Sequence, residues 1–87
     1  MILNSRSRPV TTSLANLAAG RCARVHSFSP GAECALNLME LGLVPGARLT
    51  VVRKAPLGGP LQVDVTGAHL ALRRNVAATV IVEPLAP

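Results

Sequence analysis

A chain of 87 residues makes at most one domain. At that size it buries roughly 60–65% of the surface its unfolded form exposes, enough for one core and too little for a deep substrate cleft. Apolar residues make up 49%, which excludes disorder, but there is no Trp, no Tyr and one Phe, while a formal charge of +5 favours acidic partners.

Residues 1–12 are polar, carry Arg6, Arg8 and Pro9, and read as a flexible basic tail. They lack the apolar stretch of a signal peptide. Ser13–Ala19 predicts a short helical turn, capped by Ser13 and stopped by Gly20, with Leu14 and Leu17 anchoring it to the core. Arg21–Phe28 alternates and predicts a strand with Ala23 and Val25 inward. Ser29-Pro30 then offers a capping hydroxyl before a proline at a first helical position. Over Gly31–Leu41, Glu33, Asn37 and Glu40 share a narrow polar face; Ala32, Ala35, Leu36 and Met39 lie opposite, widened by Leu38 and Leu41. This spacing predicts one amphipathic, mostly buried helix of about three turns, stopped by Gly42.

Leu43–Gly46 predicts a type II turn with Pro45 and Gly46 at its centre. Arg48–Lys54 is rich in β-branched residues and predicts a strand. Ala55–Pro60 holds two prolines and two glycines and predicts a loop. Leu61–Thr66 alternates, with Leu61, Val63 and Val65 inward, and completes a hairpin. Gly67 breaks that run. His69–Leu72 predicts a short strand, Arg73–Ala77 one turn of helix, and Thr79–Glu83 a last strand ended by Pro84, with residues 85–87 as a C-terminal tail. The pattern is mainly β: about five short strands with one amphipathic helix after the first, suggesting a small closed barrel.

Three pieces of this chain together resemble the FeoA family, the ferrous-iron transport A proteins. They are Leu38-Met-Glu-Leu-Gly-Leu-Val-Pro-Gly-Ala47, then Ala55-Pro-Leu-Gly-Gly-Pro60 after a strand, then Leu70-Ala-Leu-Arg-Arg74. The resemblance spans residues 13–84, and the pieces follow the family's order and spacing. It implies an SH3-like β-barrel and a cytoplasmic accessory of ferrous-iron uptake. Such a protein would be recruited to the inner face of the membrane by its partner, the cytosolic G-protein region of an FeoB-type Fe²⁺ transporter. The same barrel resembles the C-terminal domain of iron-dependent repressors, so an SH3-like regulatory or metal-sensing domain is the alternative. No DNA-reading helices precede the barrel in this sequence, which favours the first reading.

The residue inventory bears on the same question. Glu33, Glu40, Asp64 and Glu83 are scattered and read as solvated surface acids, so the chain is expected not to be an enzyme. His26, His69, Glu33, Glu40, Cys22 and Cys34 could in principle ligate Fe²⁺, but they do not share ligand spacing on one element. No metal site and no cofactor are therefore expected, and the iron belongs to the partner. Cys22 and Cys34 form no CxxC and are read as reduced, packed thiols. No apolar run approaches the ~18 residues of a membrane span.

Single-stranded nucleic acid needs stacking platforms and Pro-rich peptides need an aromatic groove, and one Phe supplies neither. Duplex binding is opposed by the acids on the helix's polar face. A protein partner remains. Its expected contacts are the stiff loop around Leu57 and Gly58 and a basic patch of Arg53, Lys54, Arg73 and Arg74. No residue visibly blocks an edge strand, so pairing with a second copy is also allowed.

Overall fold

Alternating Val and Leu positions give the chain one apolar face per strand, and those faces close on each other. The computed structural model describes residues 10–86. Most of the expected basic tail, residues 1–9, and Pro87 at the other end lie outside the described residues. Among the described residues, six strands form one antiparallel sheet: β1 (Thr12–Ser13), β2 (Cys22–Phe28), β3 (Arg48–Lys54), β4 (Leu61–Val65), β5 (Ala68–Leu72) and β6 (Val80–Pro84). Their order is β1-β6-β2-β3-β4-β5. The sheet curls around an aliphatic core but its ladder does not close, because β1 and β5 are both edges. A 3-10 turn (Leu14–Asn16) and a short helix, α2 (Arg74–Ala77), pack together and complete the wall. The expected closed barrel is therefore an open one finished by two helical turns.

Most of the core follows the alternation. Ala23 and Val25 on β2, Leu61, Val63 and Val65 on β4, and Val80 and Val82 on β6 are all buried. Leu14 and Leu17 are buried as well, and Ser13 caps the turn between them by accepting from the Ala15 N–H at 3.1 Å. The Leu72 side chain reaches the core, whereas Leu70 is half-buried.

The long connection from β2 to β3 differs from its expected form. The helix there, α1, covers Ala35–Glu40 alone, and only Leu38 on it is buried. Leu36 is 66% and Leu41 51% exposed. The cause is Gly31, whose φ of +78° halts a right-handed helix immediately after Pro30. The Ala32 N–H donates to the Ser29 oxygen at 3.1 Å, so Pro30-Gly31 is the centre of a turn and not a helix start. Pro45-Gly46 makes the turn expected of it, with Gly46 at φ +94° and the Ala47 N–H on the Val44 oxygen at 2.9 Å.

Thr66 and Gly67 join β4 to β5 in a two-residue hairpin, both at positive φ (+48° and +89°). A β-branched residue is ill suited to that region. We expect Thr66→Asn to raise stability by about 1 kcal/mol, the low end of the strain cost at such a position. A shifted denaturation midpoint at unchanged slope would show it; no shift would mean that the Thr66 hydroxyl, which donates to the Val65 oxygen at 2.7 Å, offsets the strain.

Candidate functional site

The Ala55–Pro60 loop owes its shape to four local features. The Ala55 N–H donates to the Pro60 oxygen at 3.0 Å and closes its base. The Gly59 N–H donates to the Pro56 oxygen at 3.1 Å and turns its tip. The two residues at that tip, Leu57 and Gly58, have φ of +59° and +75°. Gly59 is needed at its place because a Cβ there would stand 2.7 Å from the Ala55 Cβ and 3.2 Å from the Pro56 oxygen. Proline lowers the entropic cost of ordering this loop, while glycine raises it and is used where the backbone or space admits nothing larger.

Arg74 fastens this loop to the domain. Its Nε donates to the Gly59 oxygen at 3.2 Å, and its Nη2 donates to the Gly59 oxygen at 3.1 Å and the Ala55 oxygen at 3.3 Å. The planar guanidinium spans both carbonyls as a point charge could not. Lys54, at the end of β3, donates to the Ala15 oxygen at 3.0 Å and ties the strand to the 3-10 turn. A register shift between Val51 and Arg53 marks a bulge just before it.

Between the loop and α2 lies an open cleft of about 530 Å³ lined by Gly58, Gly59, Pro60, Arg73, Arg74 and Asn75. Three of the residues expected to contact a partner, Gly58, Arg73 and Arg74, meet here. Arg53 and Lys54 do not line this cleft; Arg53 sits across from Gln62 on β4, with its side chain exposed. The four basic residues therefore divide into two ties, Lys54 and Arg74, and two exposed charges, Arg53 and Arg73. Leu57 stands fully in solvent beside the cleft, at 103% exposure. Asn75 had no sequence signal, because nothing local marks which residue of a one-turn helix faces a loop 15 positions away.

A smaller groove of about 230 Å³ lies on the outer face of the sheet, lined by Cys22, Arg48, Leu49, Thr50, Asp64, Thr66 and Gly67. Cross-strand pairing aligns Cys22, Thr50, Asp64 and His69 in one row over four strands. The Cys22 thiol lies 3.3 Å from the Thr50 hydroxyl. Asp64 departs from the solvated acid expected of it: it is half-buried, and its Oδ1 is buried with no hydrogen-bond partner among the described residues. Glu33 and Glu40 are exposed as expected, while Glu83 is half-buried. Both cysteines are free thiols. Among the described residues, no three of His, Cys, Asp or Glu converge as a metal site would need, and no helix is long and apolar enough to cross a membrane.

A family model described as the FeoA domain matches residues 12–84. The FeoA protein of Chlorobium tepidum superposes with a TM-score of 0.79 at 44% identity, over 86% of this chain and 71% of that one. The FeoA of Stenotrophomonas maltophilia, solved in complex with zinc and described as a procaryotic SH3 domain protein, gives a TM-score of 0.73 at 34% identity, over 83% of this chain and 89% of that one. A manganese-dependent transcriptional repressor gives 0.81 at 20% identity, over 91% of this chain and 44% of the repressor. At that identity the likeness is one of fold.

Proposed function

The chain belongs to the FeoA domain family, and on that premise we propose that it acts by docking on the cytosolic G-protein region of an FeoB-type Fe²⁺ transporter. The family is one of small SH3-like accessory proteins of ferrous-iron transport and is not a known enzyme family. Iron, in this reading, is the transporter's cargo. The protein works in the cytoplasm and reaches the inner face of the membrane through its partner.

One observation above all supports the loop as the contact. Leu57 is fully exposed and holds a left-handed backbone conformation that leucine disfavours. Nothing in the fold is gained from a leucine there: it buries no surface, and glycine or asparagine would suit the backbone better. A residue kept in a strained conformation that does not serve packing points to a task outside the fold. The cleft beside it carries basic groups suited to an acidic surface.

The test is a pull-down and titration with the cytosolic domain of the cognate transporter. Leu57→Asp is expected to weaken binding at least about tenfold, the size of a modest hot spot. Its unfolding free energy should stay within about 0.5 kcal/mol of the parent, as for other surface substitutions. Absence of binding by the parent protein, with normal Fe²⁺ uptake in a deletion strain, would overturn the docking function. Unfolding of the variant would mean that Leu57 serves the fold of the loop and not a contact outside it.

A further inference from the structure

The cleft between the Ala55–Pro60 loop and α2 has a one-sided chemistry. Its lining offers two guanidinium groups and one amide, from Arg73, Arg74 and Asn75, and no acid among the described residues. Arg74 is half spent: its Nε and Nη2 hold the loop carbonyls, and its Nη1 makes no hydrogen bond among the described residues. Arg73 is exposed, and although its backbone oxygen accepts from the Ala77 N–H at 2.9 Å, its guanidinium makes no hydrogen bond among the described residues. The remaining lining, Gly58, Gly59 and Pro60, presents little beyond backbone and a proline ring. Such a floor lets another main chain come close. The cleft is open, with glycine and proline on one side and cations on the other.

We infer that this cleft holds an extended peptide segment carrying carboxylates, with Arg73 pairing to the acid and Arg74 held ready beside it. The inference rests on the docking function above and names the chemistry of what docks. Charge decides the occupant: a cleft with two arginines and no acid, in a chain of net charge +5, complements carboxylates. Arginine suits them because its fork matches both carboxylate oxygens. Arg74 contributes little ordering cost, since its guanidinium is already fixed by the loop. Arg73, still free, forms the discriminating pair. Nucleic acid fits the same charge less well, because no aromatic ring lines the cleft to receive a base.

The experiment follows backbone amide signals of the full chain by NMR. The probe is a capped hexapeptide, Gly-Glu-Gly-Asp-Glu-Gly, against the same peptide with Gln and Asn in place of its acids. The acidic peptide is expected to shift the Gly58, Gly59 and Asn75 amides saturably. Arg73→Gln should weaken its binding about tenfold, one charge-assisted pair. No shift at those amides would overturn the inference. So would an equal response to the neutral peptide, to inorganic phosphate at the same concentration, or in Arg73→Gln. The transporter domain separates the two levels. If it binds parent and Arg73→Gln equally, the cleft is excluded and docking stands; if it does not bind the parent, docking falls.

Discussion

Leu43→Ala is expected to lower the stability of this domain by about 2–5 kcal/mol, the range for truncating a fully buried leucine. Leu43 is 0% exposed and sits where the β2–β3 connection returns to the core. Its backbone ends α1: the Leu43 N–H donates to the Leu38 oxygen at 3.0 Å and the Gly42 N–H to the Met39 oxygen at 3.0 Å, with Gly42 at φ +107°. That is the helix-ending motif in which a buried residue past the glycine packs back on the last turn. Leu38 and Leu43 are the two buried leucines of the nineteen-residue connection, Ser29 to Ala47, and they are its main apolar anchors. Half-buried Cys34 and Ala47 pack beside them, and backbone bonds at its two ends, Ser29 N–H to the Thr79 oxygen at 2.8 Å and Gly46 N–H to the Val25 oxygen at 2.7 Å, hold only the ends. Domains of this kind are stable by about 5–15 kcal/mol in all, so the variant should lose a large share and populate a form with α1 detached. Urea unfolding measures the loss. A change below 1 kcal/mol would mean that Leu38 suffices.

The second large effect is at Arg74. Arg74→Met keeps the aliphatic stem and removes the three hydrogen bonds to the Gly59 and Ala55 carbonyls. Hydrogen bonds to a charged group contribute about 1.5–3 kcal/mol net, and the half-buried position of Arg74 argues for the lower end. The loop should loosen more than the rest of the fold. Hydrogen exchange reads this directly at the Ala55 and Gly59 amides, whose protection depends on the closed loop. Partner binding is expected to fall as well, because Leu57 then samples many positions. Arg74→Lys restores the charge but not the fork, so it should recover little of the exchange protection. Unchanged protection in Arg74→Met would show that proline and glycine alone set the loop.

How much of this was legible beforehand depends on the range of the interactions involved. The strands are local, period-two patterns, and Arg48–Lys54 and the inward set Leu61, Val63 and Val65 could be read directly. The helix was only half legible. Pro-Gly occurs twice, at Pro30-Gly31 and Pro45-Gly46; the capping serine ahead of the first made it resemble a helix start, while both are turns. The apolar stripe of α1 misled for a different reason. A stripe shows which face could be buried but not whether the body offers a surface to bury it, and Leu36 and Leu41 find none. At the site, the loop and the Arg73-Arg74 pair stood out as composition. The division of labour between the two arginines did not, because it is settled by carbonyls 15 and 19 residues away from Arg74. Lys54 offers the same lesson, with its partner carbonyl 39 residues distant.

The way Arg74 is held has a practical consequence for ionic strength. Its partners are carbonyl dipoles at contact distance, and mobile ions screen such short contacts poorly. The exposed Arg73, by contrast, meets a partner through solvent-facing charge, which salt weakens. Raising the salt concentration should then release a docked acidic partner while the loop keeps its shape. Association can thus be made and undone many times without any part of the docking surface having to refold.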